Sequence, residues 1–223
     1  MSLLKNIYKL ILKDETYEAA KEVASQVSIK INLSPPEYVI HASDILKKAT
    51  EKHKQGNHEQ AIELFNEAVA LYRSHNSLPS EDILVRLPNY LKVTGRKTEA
   101  WNEYYKILNA YSDYSETVRP MIFSKVYDKM RLFQQRENNF NLVAIYATLS
   151  YVAWHKGLSL QQRHEELKDW AVENSILYGL RHVSNKIQSK LLNDLTKEVI
   201  ENRMHISTMD LQAFELKLLK AVS

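Results

Sequence analysis

The apolar residues of this chain recur at the spacing of amphipathic helices. Ile62, Phe65 and Val69 follow one another at i, i+3 and i+7, which places them on one helical face. No segment shows the Val, Ile and Thr alternation of paired strands, and Gly and Pro number only 4 and 5 in 223 residues. The pattern therefore predicts an all-α protein with long helices and short connections.

Helix start and stop signals divide this pattern into about eleven helices. Asn57 with Gln60 forms a capping pair, and Ser34 with Glu37 forms another around two prolines. Further starts are predicted at Ser80, Ser159 and Ser207, and helix-end glycines at Gly56, Gly95 and Gly157. The predicted helices span residues 2–12, 15–33, 36–55, 58–75, 80–94, 97–112, 116–136, 139–156, 160–179, 182–203 and 208–221.

The first half of the chain contains an internal repeat. Segments 16–24, 57–65 and 96–104 align without gaps, so that Ala20, Ala61 and Ala100 become equivalent. These alanines lie 41 and 39 residues apart, in the range of helical repeats. In the first helix of the third unit, Pro88 stands where a small residue is expected, which predicts a kink or a late start.

The segment from Gly56 to Ala68 closely resembles the second helix of a tetratricopeptide (TPR) repeat. Ala61, Phe65 and Ala68 fall on the family's small, large and small positions, and Ala49 matches a small position in the preceding helix. The resemblance implies a TPR-like α-solenoid of stacked antiparallel helix pairs over residues 1–112. Residues 113–223 are expected to continue the stack and to end in a capping helix, whose stripe is Leu211, Phe214, Leu218 and Leu219.

The resemblance also implies where a partner would bind. In such repeats the first helix of each unit lines the concave face, and the polar residues there form a basic groove suited to an acidic or mixed segment. A solvated face without a ligand is the alternative. The candidate partner-binding residues are Lys5, Lys9, Thr50, His53, Lys54, Arg86, Asn89 and Lys92.

Composition excludes several classes of function. The formal net charge of +3 comes from interspersed charges, too mild a surplus to predict nucleic-acid binding. The chain has no Cys, no Gly-rich phosphate loop and no nucleophile motif. His53 and His58 lie five residues apart across a turn, a spacing that does not favour a metal site. We therefore expect no catalytic residue, no metal and no cofactor.

Aromatic residues form two groups along the chain. One lies between Trp101 and Tyr114, and the other comprises Tyr146, Tyr151 and Trp154. We expect them to fill gaps between helices, and the alternative is that some face outward as binding anchors.

No membrane attachment is predicted. The N-terminal segment lacks the apolar core of a secretory signal, and the apolar run from Leu142 to Trp154 is too short to cross a bilayer. That run predicts a buried helix, and the cytoplasm is the expected compartment.

These observations predict a non-enzymatic interaction module that binds a protein or peptide partner on its concave helical face. The first alternative is an immunity-type protein that neutralises a bacterial toxin by direct binding. The second alternative is an enzyme with an unfamiliar helical site.

Overall fold

The computed structural model describes residues 35–161, 186–187, 189–201, 206 and 208–222. Every regular element within these residues is helical and none is a strand, which confirms the all-α prediction. The chain divides into two compact units, residues 1–40 and 41–223. All contacts discussed below lie within the second unit. The boundary expected between residues 112 and 113 stays a prediction.

We number the described helices in chain order. They are α1 (Glu37–Lys54), α2 (His58–Ser74), α3 (Glu81–Leu84), α4 (Arg86–Val93), α5 (Lys97–Ala110), α6 (Arg119–Arg136), α7 (Phe140–Leu160), α8 (Lys190–Glu201) and α9 (Leu211–Lys220). The predicted helices at 2–12 and 15–33 lie outside the described residues. Of the predicted helix 160–179 only the start is described, and most of the early part of 182–203 lies outside the described residues.

Four inter-helix turns share one backbone pattern. Each contains a residue with positive φ: Gly56 at 82°, Asn76 at 50°, Gly95 at 80° and Asn138 at 58°. In each turn this residue donates its N–H to the carbonyl three positions earlier, and the next residue donates to the carbonyl five positions earlier. These bonds satisfy carbonyls at the helix end, as in a Schellman motif. The predicted roles of Gly56 and Gly95 are confirmed.

The predicted helix 80–94 is divided into α3 and α4. Val85 ends α3 by donating its N–H to the carbonyl of Glu81, and α4 then begins at Arg86. Pro88 lies in the first turn of α4 and has no N–H to donate to the carbonyl of Leu84, which favours a new helix over a continuous one. The late start predicted from Pro88 is confirmed.

Helix α7 is longer than predicted and is buried on all sides. It continues past residue 156 to Leu160, so that Ser159 lies inside it and does not begin a new helix. Gly157 is likewise interior: a Cβ there would lie 2.6 Å from Sδ of Met121. This glycine permits a close approach of α6 and does not end a helix. The buried helix predicted around Leu142–Trp154 is confirmed.

Several predicted caps and starts are wrong. Asn57 and Ser80 occupy N-cap positions, but neither side chain makes a capping bond. Helix α6 begins at Arg119, three residues later than predicted, with Pro120 in its first turn. Helix α9 begins at Leu211 because the carboxylate of Asp210 accepts bonds from the N–H groups of residues 212 and 213.

The packing residues inferred from the repeat are buried. Ala49, Ala61 and Ala68 are fully inaccessible, and Phe65 is almost so. Ala100 of α5 is also inaccessible. Small residues at these positions let helices approach closely, while the phenylalanine fills the space between them. The burial expected of these positions is therefore confirmed.

Helix α7 lies at the centre of the second half, in contact with α6, α8 and α9. Ser124 of α6 and Ser150 of α7 cross-link their helices: each hydroxyl donates to the other residue's backbone carbonyl, at 2.8 and 2.9 Å. Leu211, Phe214 and Leu218 form the buried stripe of α9, as its sequence predicts. Within the described parts of the chain, no helix combines the length and hydropathy needed to cross a bilayer.

Candidate functional site

An open groove of about 690 Å³ is lined by residues from α1, α4 and α6. Its lining residues are Thr50, His53, Lys54, Arg86, Asn89, Tyr90, Lys92, Val93 and Arg136. The groove therefore brings together six of the eight sequence-predicted partner-binding residues. The other two, Lys5 and Lys9, lie outside the described residues.

The groove residues occupy equivalent positions on the three helices. Lys54, Val93 and Arg136 each lie two residues before the positive-φ residue of the following turn. His53 and Lys92 lie three residues before it, and Thr50 and Asn89 lie six before it. Equivalent positions before the turns that follow α1, α4 and α6 thus meet at one surface.

Positive charge dominates this surface. Lys54, Arg86 and Arg136 are exposed, and none has an ion-pair partner among the described residues. No carboxylate belongs to the described lining of the groove. Two guanidinium groups and one ammonium group, held close together without counter-charges, favour an anionic ligand and disfavour a cationic one.

Lys92 is different from the other cations. Its Nζ lies 3.0 Å from a carboxylate oxygen of Glu137 and 4.4 Å from the ring centre of Phe133. Lys97 binds the second oxygen of the same carboxylate at 2.6 Å. The two lysines lower the pKa of Glu137, through hydrogen bonds first and charge second. Lys92 therefore joins α4 to the α6–α7 turn and contributes little net charge to the groove.

Thr50 and Asn89 are also engaged locally. The Thr50 hydroxyl donates to the carbonyl of Leu46 at 2.9 Å, and the Asn89 amide donates to the carbonyl of Val85 at 3.3 Å. Both bonds run four residues back along the same helix. These side chains are therefore held in the groove wall.

The floor of the groove is partly apolar. Tyr90 is buried and stacks against the imidazole of His53, with ring centres 4.4 Å apart. Val93 is 54% exposed, a large value for a valine. A ligand that seats an apolar side chain on Val93 while its carboxylates meet the cations would match both halves of this surface.

Sequence reasoning missed three lining residues: Tyr90, Val93 and Arg136. Arg136 and Val93 could have been found by counting back from the turn residues Asn138 and Gly95, as Lys54 precedes Gly56. Tyr90 carries no such sequence signal. An aromatic residue at an apolar helix position predicts burial, and nothing in the sequence indicates that its ring also lines a groove.

A histidine pair borders the groove. Nδ1 of His53 lies 3.1 Å from Nδ1 of His58, and their ring centres are 4.8 Å apart. The turn brings the two rings into contact, although their spacing does not favour a metal site. In the described part of the chain, no group of three or more His, Asp or Glu side chains could hold a metal ion.

A second polar cluster lies in the interior. The phenol of Tyr127 donates to a carboxylate oxygen of Glu215 at 3.1 Å, and the phenols of Tyr105 and Tyr146 lie 2.7 Å apart. Burial raises the pKa of Glu215, opposed by hydrogen bonds from the tyrosines. Its other oxygen, Oε1, is buried without a hydrogen-bond partner among the described residues. No described cavity adjoins this carboxylate, so we treat the cluster as part of the core.

Comparison of this chain with protein-family models, with curated proteins and with solved structures found no match.

Proposed function

We propose that this chain is a non-enzymatic interaction module that binds an acidic segment of a protein or peptide partner in the groove between α1, α4 and α6. One observation carries the proposal: Lys54, Arg86 and Arg136 converge beside an exposed Val93, with no carboxylate in the described lining. Such a surface complements an extended segment that alternates acidic and apolar side chains.

We propose further that the helices form a TPR-like stack of antiparallel pairs, with α1, α4 and α6 as the ligand-facing helices. The identical hydrogen-bond pattern of the turns at Gly56, Gly95 and Asn138 supports this arrangement. In this view Lys5 and Lys9 extend the same surface, and the cytoplasm is the compartment that suits a chain without cysteine.

The proposed function includes no catalytic activity. The groove offers cations and amides, and its one described titratable ring near neutral pH, His53, is stacked on Tyr90 and bonded to His58. No described carboxylate faces His53 across the groove to act as an acid or base partner.

Selection from a random peptide library displayed on phage tests the proposal. We expect the selected peptides to be enriched in Asp and Glu with interspersed apolar residues. A variant with Arg86→Ala and Arg136→Ala should bind them at least about tenfold more weakly, because each charged contact contributes roughly 1 kcal/mol or more.

Arg73→Ala is the matched control, because Arg73 is exposed on α2 and does not line the groove. It should leave the affinity unchanged. Selected peptides without an acidic bias, or equal affinity for the wild type and the double variant, would refute the proposed function.

A further inference from the structure

The His53–His58 contact places a proton-binding pair at the wall of the groove. His53 lines the groove, stacks on Tyr90 and contacts His58 through Nδ1. The three rings form a continuous row from the floor of the groove to the start of α2. A change in the charge of this pair therefore alters its electrostatic interaction with a ligand in the groove.

Two imidazoles that meet through Nδ1 atoms 3.1 Å apart share one proton in their contact. In the neutral pair, one ring donates its Nδ1–H and the other accepts. A single added proton occupies Nε2 of the donor ring, so the contact becomes a charge-assisted bond and persists. A second added proton would set two N–H donors face to face. The contact is therefore compatible with one added proton and incompatible with a second.

The charged side chains that line the groove beside the pair are cations, of which Lys92 is neutralised by Glu137. Lys54 follows His53 on α1, Arg86 and Lys92 belong to α4, and Arg136 belongs to α6. On the side of α2, Glu59 adjoins His58 and is paired with Arg96 at 3.4 Å. Burial and then the neighbouring His58 lower the pKa of His53. In the unliganded protein His53 therefore favours its neutral form.

An anionic ligand reverses this balance. Carboxylates held by Arg86 and Arg136 would lie across the groove from His53 and favour its charged form. By linkage, whatever favours proton uptake in the bound state also strengthens binding as the proton concentration rises.

We propose that the His53–His58 pair is a proton-controlled switch, which strengthens binding of an anionic segment as the pH falls below neutrality. This inference rests on the proposed function. It adds a regulation that the fixed charges of Lys54, Arg86 and Arg136 do not supply, because these groups keep their charge throughout the same pH range.

Fluorescence anisotropy with a fluorescein-labelled, glutamate-rich peptide tests the switch between about pH 8 and pH 5.5, at constant ionic strength. The peptide's own carboxylates stay largely ionised over this range. Wild-type affinity should rise about three- to tenfold, the effect expected of one added charge at a partly exposed site. Calorimetry in buffers of different ionisation enthalpy should show uptake of up to about one proton on binding near pH 6.5.

The variant with His53→Gln and His58→Gln should bind with an affinity that stays flat across the range. His41→Gln is the matched control, since His41 is exposed on the same helix and does not line the groove, and it should keep the wild-type slope. Thermal melting of the wild type and of both variants checks that they fold.

The outcomes separate the two proposals. Binding that is equal at every pH, or a slope that survives in the double variant, overturns the switch and leaves the proposed function standing. An absence of binding by the wild type at every pH overturns the proposed function together with the switch.

Discussion

The groove and the α6–α7 layer use polar residues in opposite ways. In the layer, Ser124 and Ser150 each donate their hydroxyl to the backbone carbonyl of the other. In the groove, Arg86 and Arg136 point into an open space without a counter-charge among the described residues. Paired polar groups fix one helix against another, whereas unpaired ones on an exposed surface are available to a ligand. We therefore propose that the groove is the functional surface and that the layer supports it.

The largest effect should come from the layer. Leu149 of α7 is fully buried, so Leu149→Ala removes apolar contacts and leaves a cavity. We expect a loss of about 2–5 kcal/mol in the free energy of unfolding. Urea denaturation measures this loss. Leu191→Ala on α8, where the side chain is 58% exposed, should change stability by less than about 0.5 kcal/mol. Equal effects of the two substitutions would contradict the packing described for α7.

The next effect concerns the small residues between repeat helices. Ala61 is fully buried, so Ala61→Leu should overpack the contact and cost about 1–3 kcal/mol of unfolding free energy. Ala70→Leu is the control, because Ala70 lies on the exposed face of the same helix. Thermal or urea unfolding of the pair measures the difference. An unchanged melting temperature for Ala61→Leu would mean that this position does not hold two helices together.

A smaller, pH-dependent effect is expected at Glu215. Its pKa in the folded chain is raised, so its protonated form stabilises the fold below the ordinary carboxyl pKa, and that stability is lost as the pH rises through the folded pKa. Glu215→Gln removes this loss. The variant should gain on the wild type by roughly 1 kcal/mol at about pH 7, and the gain should shrink towards about pH 4. Urea unfolding at both pH values tests the sign. A gain that grows on acidification would contradict the buried, raised-pKa carboxyl.

Glu137 should show the opposite sign. Lys97 and Lys92 lower its pKa, so the stability it contributes is present above the ordinary carboxyl pKa and is lost as the pH falls through the folded value. Glu137→Gln should therefore lower the melting temperature near neutral pH and have little effect in acid. Calorimetric melting at two pH values measures this. Lys92 also lines the groove, so the variant removes a contact that supports the groove wall. Arg86 and Arg136 are not substituted, and only stability should therefore fall.

Local sequence signals predicted the turns and the packing residues well. Gly56 and Gly95 adopt positive φ at little cost because glycine has no Cβ. The alanines at fixed offsets are buried, as their spacing predicts. Pro88 carried enough information to predict the late start of α4. The prediction that Gly157 ends a helix was wrong. A glycine at a helix end and a glycine that makes room for a neighbouring side chain cannot be distinguished in the sequence.

Long-range polar contacts could not be predicted. Tyr127 and Glu215 are 88 positions apart, and nothing local marks either as a partner of the other. The same holds for the ion pair of Lys92 with Glu137. Lys92 stays a predicted partner-binding residue, but its charge is paired within the chain. The contact between His53 and His58 was not predicted, because the spacing rule for two metal ligands on one helix says nothing about a turn that brings two helix ends together.

Site-specific photo-crosslinking tests the central claim most directly. A photoreactive amino acid is placed at Val93 in the groove or at Val118, a similarly exposed valine elsewhere, and each protein is irradiated with an acidic peptide selected on the wild type. The groove account predicts a crosslinked product from position 93, its loss when Arg86→Ala and Arg136→Ala are added, and none from position 118. Equal crosslinking from the two positions, or a product at 93 that survives removal of both arginines, would contradict it.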